Sequence, residues 1–240
     1  MGLKETLKKL LVWFAFDQKW KCNICDEEIF NGEYFCDKCK SELPLNNGHI
    51  CEHCGRQTEI PEKYCLTCKD KLVNVDIARS SFVYDKPVSG LIKDLKYNKK
   101  QYLANPLGEY LVKTYKENSF DADYIIFPPM TEKAFKKRKY NQAELLSKVV
   151  SEGTGVPIID VIEKVRETER QATLNREQRL KNLKGAFRLT KRKILKDKTI
   201  MIIDDVTTTG ATSEIIAEKL KRAGARKVIL LTVASTPSKK

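Results

Sequence analysis

No apolar run in the 240 residues approaches the ~20 needed to cross a bilayer, so no membrane span is expected. The nearest run, Leu10–Phe16, follows Lys8 and Lys9 as a leader peptide would. It is followed by Asp17, Gln18, Lys19 and Trp20 instead of a small-residue cleavage site. Secretion is therefore not expected, and residues 3–16 read as a short amphipathic helix. No Gly-Lys-Ser/Thr sequence follows a glycine-rich turn, which excludes a Walker-type nucleotide loop. There is no low-complexity segment, and no long repeat apart from the cysteines.

All eight cysteines lie between positions 22 and 68. They form four Cys-x-x-Cys pairs: Cys22/Cys25, Cys36/Cys39, Cys51/Cys54 and Cys65/Cys68. Gaps of ten, eleven and ten residues separate them. Each pair suits a tight turn that aims two sulfurs at one point, and two turns complete a tetrahedral thiolate site. Eight ligands imply two zinc ions, in closed four-sulfur sites that leave no open position for catalysis. Sequential pairing of the turns is favoured over a cross-braced one, because ten-residue loops close at small entropic cost. A disulfide framework would need the secretory leader that is missing. His53, inside one turn, reads as a solvated side chain.

Positive charge is in excess by +13 and unevenly spread. Residues 163–198 hold thirteen Lys/Arg against five Asp/Glu, or +8, and residues 132–140 hold five against one, or +4. Such a localised field points to an anionic partner, either a phosphate-rich small molecule or nucleic acid. Lys191–Lys193 alone reads as a solubilising surface. Phe135, Tyr140 and Phe187 lie inside the basic stretches and are candidates for stacking on bases, with core packing the expected fate of Phe187.

Strand and helix patterns alternate from residue 77 onward. Strands are expected at 77–84, Tyr124–Phe127, Pro157–Ile162, Lys198–Asp204 and Lys227–Ala234. Helices are expected near 87–97 and 101–117, at Asn141–Val150, at 175–184 and at Ala211–Ala223, the last closed by Gly224. Residues 163–174 read as a mobile loop and Thr236–Lys240 as a tail. Apolar strands alternating with helices mean an α/β fold with a parallel sheet. The expected division is a helix and zinc module over 1–70 and an α/β domain over 71–240.

The richest segment runs from Thr199 to Thr212. A buried strand ends in Asp204 and Asp205, then Val206, Thr207, Thr208, Thr209 and Gly210 lead into a helix that starts at Ala211 and Thr212. Open α/β sheets bind ligands at the carboxyl ends of their strands. A helix N-terminus offers unpaired amides to an anion, the threonines add hydroxyls, and Gly210 takes dihedrals other residues avoid. Asp204 and Asp205 are acceptors suited to ribose hydroxyls.

Asp204–Gly210 resembles the phosphoribosyl pyrophosphate motif of type I phosphoribosyltransferases. Arg138-Lys-Tyr-Asn-Gln-Ala-Glu-Leu-Leu146 resembles the Arg-Gly-Phe-Asn-Gln-Ala signature of the ComF competence family, with Lys139 in place of the glycine. Arg166, Thr168, Gln171, Leu174, Arg179, Asn182, Gly185, Ala186 and Phe187 match that family's second signature. A zinc finger ahead of a transferase-like domain is also the family's architecture. The resemblance implies a type I phosphoribosyltransferase-like parallel sheet flanked by helices. It implies a cytoplasmic role in natural DNA uptake, with single-stranded DNA, a helicase-like protein and a single-strand loader as partners. Asp204 and Asp205 would be catalytic, with Mg²⁺ accompanying phosphoribosyl pyrophosphate. Phe127–Met130, including Pro128 and Pro129, would bind pyrophosphate with Arg138 close by. Residues 163–184 would close over the ligand, bringing Arg166, Arg170 and Arg179. Little chain follows the last strand, so a hood over the acceptor is expected from residues 71–120 or the zinc module. Three readings stay open: a competence factor binding phosphoribosyl pyrophosphate or a nucleotide, a nucleobase-salvage enzyme, and a non-catalytic adaptor.

Overall fold

A computed structural model describes residues 21–30, 32–58, 63–69, 74–168 and 176–237. The helix expected at 3–16, Arg170 and the end of the tail lie outside them.

Four strands make one parallel sheet: β1 (Ile77–Val83), β2 (Tyr124–Ile126), β5 (Thr199–Thr207) and β6 (Lys227–Ser235), in the order β1-β6-β5-β2. Burial alternates between its two faces. Met201, Ile203, Ile229 and Leu231 face one core, and Ile200, Ile202, Val228 and Leu230 face the other. A strand buried on both sides must be apolar throughout, which is why Ile200–Ile203 reads as a continuous run.

Three helices cover the first face. In α3 (Val88–Tyr97) the buried residues are Val88, Leu91, Ile92 and Leu95, an i, i+3, i+4, i+7 stripe. α4 (Ala104–Glu117) buries Leu107 and Leu111 and is preceded by a 3₁₀ turn at Gln101–Leu103. α6 (Gln142–Thr154) buries Leu146 and Val150, begins at the Asn141 cap and ends at Gly155 in the left-handed region. The second face carries α8 (Ala211–Arg222), which buries Ile215, Ile216 and Leu220. A two-stranded antiparallel unit, β3 (Ile162–Lys164) with β4 (Phe187–Leu189), and α7 (Arg176–Leu183) pack on the same side.

The structure departs from the sequence reading in several places. Pro157–Ile162 is not a full strand: Ile158 makes a single parallel bridge to Ile125, because Pro157 has no amide to donate and sits at the sheet edge. β5 runs three residues past Asp204, so Asp205–Thr207 belong to the strand. Residues 163–174 are not loop throughout, since β3 extends to Lys164. An unforeseen helix, α5 (Glu132–Arg138), buries none of its residues and is capped by the Thr131 hydroxyl, which accepts from the Ala134 amide at 3.3 Å. Tyr140 and Phe187 are 6% and 3% exposed, so neither is open for stacking.

The cysteine segment forms two similar ribbons, with short helices α1 (Asp37–Ser41) and α2 (Leu66–Lys69) carrying the second knuckle of each. The ribbon around Cys22 shares the first core, where Cys22, Ile29, Phe35, Cys36, Cys39 and Leu43 pack with α3 and α4. The link between ribbons pairs with the outer edge of β1: the Val83 amide donates to Pro44 at 2.8 Å, and the Asn46 amide to Ser81 at 3.0 Å. An open edge strand is a template for aggregation, and here the ribbons cover it.

Candidate functional site

β2 and β5 are neighbours where the strand order turns round. Ile158 lies beyond β2, while β6 and β1 lie beyond β5. A crevice opens at the carboxyl ends of strands at such a switch point. At those ends of this sheet, Phe127–Met130 follow β2 and Asp204–Gly210 close β5 and lead into α8.

Asp205 is buried at 3% exposure, and Asp204 is half-buried. The Asp204 Oδ1 accepts from the Asp205 amide at 2.8 Å. Lys96, at the end of α3, forms an ion pair with Asp205. Burial beside a second carboxylate pushes the Asp204 carboxyl well above the usual range. Burial acts on Asp205 in the same direction and is the largest single influence, but the Lys96 charge together with hydrogen bonds from Asp204, Lys96 and the Val206 amide holds Asp205 below its usual value. Lys96 itself is pushed down by burial, and the charge and hydrogen bond of Asp205, with the Asp204 charge, together raise it. The site therefore holds one carboxylate committed to a lysine and one that is readily protonated.

Past the pair, Val206 is half-buried. Thr207 is buried, and its hydroxyl donates to Thr232 at 3.4 Å. The turn proper is Thr208–Gly210. Gly210 has φ +72°, and a Cβ there would meet only Ser213 Oγ at 4.0 Å, so the left-handed backbone and not crowding calls for glycine. The Thr209 hydroxyl accepts from the Ala211 amide at 3.4 Å as α8 begins, with Thr212 half-buried in its first turn. The Thr208 carbonyl accepts from the guanidinium of Arg56 and from the Thr236 hydroxyl. Thr236 is thus a brace for the loop and not merely the start of a tail.

After β2, Pro128 and Pro129 are half-buried, and the Asn141 side chain donates to the Pro128 carbonyl at 3.0 Å. Arg138 donates to Gln142 and lies over the Tyr97 ring, 5.4 Å from its centroid. Lys139, where the family signature has glycine, takes φ +70°, so the turn keeps the left-handed geometry. Arg166 is spent on a helix end, donating to the Asn182 and Lys184 carbonyls at 2.6 and 2.9 Å. Arg179 is placed on α7 by its backbone alone.

Two residues here escaped the sequence reading. Lys96 follows the apolar stripe of α3 by one position, which marks it only as near the core. Arg56 sits in an ordinary-looking knuckle. Both come from the segments expected to supply the hood, α3 and the cysteine module.

Each cysteine quartet, Cys22/Cys25/Cys36/Cys39 and Cys51/Cys54/Cys65/Cys68, has its four sulfurs within 4.8 Å of one another. The pairing is the sequential one. Cys25–Cys36 and Cys54–Cys65 sulfurs are 3.7 Å apart. A tetrahedral shell with Zn–S of ~2.3 Å separates its sulfurs by about 3.8 Å, so both quartets fit structural zinc. Burial raises the Cys22 thiol, but surrounding amides outweigh it and bring it down to about 7, whereas burial pushes the neighbouring Cys39 thiol up.

Residues 16–72 match the double zinc ribbon domain, and residues 142–240 match the phosphoribosyl transferase domain. The DNA utilization protein YhgH of Salmonella typhimurium is 30% identical over 213 residues, covering 86% of this chain and 86% of the relative. The chain belongs to the ComF competence family. Other ComF relatives include competence protein ComFC of Bacillus subtilis, 26% identical over 88% of this chain and 86% of its own. Competence protein F of Haemophilus influenzae is 26% identical over 80% of this chain and 86% of its own. Both expected parts of the ComF architecture, the zinc ribbons and the phosphoribosyltransferase-like sheet, are present.

Proposed function

We propose that this chain binds phosphoribosyl pyrophosphate, or a nucleotide with the same ribose-phosphate part, together with Mg²⁺, at the carboxyl ends of β2 and β5. The observation that carries this is the Asp204–Asp205 pair at the switch point, followed by a threonine-rich turn that leads into α8. The carboxylates suit ribose hydroxyls. The amides of Thr208–Thr212 at the start of a twelve-residue helix suit a phosphate. Phe127–Met130 and Arg138 form the wall for the pyrophosphate. The Mg²⁺ would neutralise charge on the pyrophosphate; the chain's own part is to orient the sugar.

The protein then serves as a cytoplasmic DNA-handling factor of competence, as the names of its relatives suggest. Single-stranded DNA would follow the basic surface of α5, where Lys133, Lys136, Lys137 and Lys139 are exposed and Phe135 is 47% exposed. The helicase-like and loader partners implied by the family belong to the same proposal.

Thermal unfolding with phosphoribosyl pyrophosphate and Mg²⁺ tests the ligand. Ligand at about 100 times its dissociation constant stabilises the native state by ~2.7 kcal/mol. The double variant Asp204→Asn/Asp205→Asn should lose that shift. No shift in the wild type would leave the adaptor reading, and turnover of a free base with release of pyrophosphate would make the protein a salvage enzyme. Single-strand affinity should also fall steeply as salt rises.

A further inference from the structure

The two zinc ribbons repeat each other at an offset of 29 residues, and the repeat is physical as well as sequential. The Cys22 amide donates to Glu27 at 2.7 Å, and the Cys51 amide donates to Arg56 at 2.9 Å. The Asp26 amide returns to Cys22, and the Gly55 amide to Cys51, each at 2.9 Å. Lys21 bridges Glu28 as Ile50 bridges Gln57. Asp26 and Gly55 both take left-handed backbone, at φ +61° and +66°.

Against that sameness, two positions differ. Asp26 tolerates its φ with a side chain, so φ alone does not demand Gly55. A Cβ at 55 would lie 2.2 Å from the Ala78 carbonyl oxygen; the second ribbon is pressed onto the backbone of β1 too closely for any other residue. It is fastened there by two bonds from β1 and one from the link between the ribbons. The Ala78 amide donates to His53 at 2.7 Å, Arg79 to the Glu52 carbonyl at 2.8 Å, and Asn46 to the Gly55 carbonyl at 2.7 Å. The second difference is the next residue. The first ribbon carries the exposed Glu27; the second carries the half-buried Arg56, whose guanidinium holds the Thr208 carbonyl.

We infer that Arg56 is a positioning residue for the phosphate loop, and that the second zinc ribbon is the frame that aims it. This rests on the phosphate-binding role given to the loop above. A peptide unit is planar and trans, so fixing the Thr208 carbonyl also fixes the Thr209 amide, which points the opposite way. The guanidinium charge polarises that peptide and strengthens the same amide as a donor. Thr236 holds the carbonyl from the carboxyl-terminal side at 3.4 Å, so the peptide is gripped by both ends of the chain. A loop whose amides are aimed beforehand binds an anion without first losing conformational freedom. A ribbon that lost its zinc would lose the turn that carries Arg56, because such folds depend on the metal.

The test uses the full chain and two readouts, hydrogen exchange of amides 209–212 and affinity for phosphoribosyl pyrophosphate with Mg²⁺. Exchange is scored relative to β5 and β6 amides in the same sample. Arg56→Met keeps the aliphatic stem and should retain two zinc ions by elemental analysis. It should speed exchange of the loop and weaken ligand affinity roughly ten- to a hundred-fold, the range of one charge-assisted hydrogen bond. Cys68→Ser should lose one zinc and reproduce the fast loop exchange. Loop exchange at the wild-type rate in Arg56→Met overturns the positioning role, whether or not Cys68→Ser folds. A folded Cys68→Ser protein with one zinc and wild-type loop exchange overturns the framing role. If the wild type itself shows no response to phosphoribosyl pyrophosphate, the ligand assignment fails, and exchange still decides the role of Arg56.

Discussion

Lys96 decides the electrostatics of the crevice. Two adjacent carboxylates at the end of a buried strand repel each other, and one cation makes their ionisation tolerable. Removing one partner of a buried ion pair costs about 3–5 kcal/mol, so Lys96→Met should lose stability of that order near neutral pH. The sign of the pH dependence follows from the shifts. Asp205 is held below its unfolded value, so its pairing contributes stability above the ordinary carboxylate range, and that stability is lost as pH falls through the depressed value. Lys96 is raised, so its share is complete below the ordinary lysine range and fades only at alkaline pH. The defect of Lys96→Met should therefore shrink on acidification, as the orphaned pair takes up a proton. Urea unfolding of both proteins from neutral pH down through the ordinary carboxylate range checks this, and a defect that does not change with pH would show that Lys96 acts through packing alone.

Between elements, the α4–α6 contact shows how local preference yields to packing. A Cβ on Gly108 would meet Val149 at 2.6 Å, and one on Gly153 would meet Val112 at 2.6 Å, so each helix offers a glycine to the other's valine. Alanine is the better helix former by about 1 kcal/mol, but overpacking costs about 1–3 kcal/mol. Gly108→Ala should therefore lower stability, whereas Gly90→Ala in α3, with nothing within 4 Å of the new methyl, should raise it. Thermal unfolding of the two variants should show opposite shifts; the same sign in both would refute the packing account. The same competition explains what sequence made legible. α3, α6 and α8 announce themselves because each buries a periodic apolar face, and β5 and β6 because each is apolar on both faces. The helix α5 buries nothing, so no stripe marks it. The Asp204–Gly210 segment is legible because its chemistry is contiguous along the chain. Lys96 and Arg56 were not, because each acts on residues more than a hundred positions away, and only the fold brings them there.

For the whole molecule, the first zinc ribbon and the sheet share one interior. Cys22, Cys36 and Cys39 lie in the same apolar cluster as Leu95, Leu103 and Leu107, and residues 44–46 complete the edge of β1. Structural zinc in small ribbons carries an apparent binding free energy of about 10–16 kcal/mol, far more than such a short segment can gain from its own apolar burial. Stripping both metals with a chelator should therefore not melt a separate N-terminal piece. It should open one wall of the first core and bare the β1 edge, so that calorimetry shows a single transition shifted to lower temperature and light scattering shows self-association through the exposed strand. Readdition of zinc before heating should restore the original transition. Two resolved transitions after chelation, with the upper one unmoved, would mean that the sheet stands without its ribbons and that their contact is peripheral. A single shifted transition would make the metal sites part of what holds the phosphate loop's scaffold together.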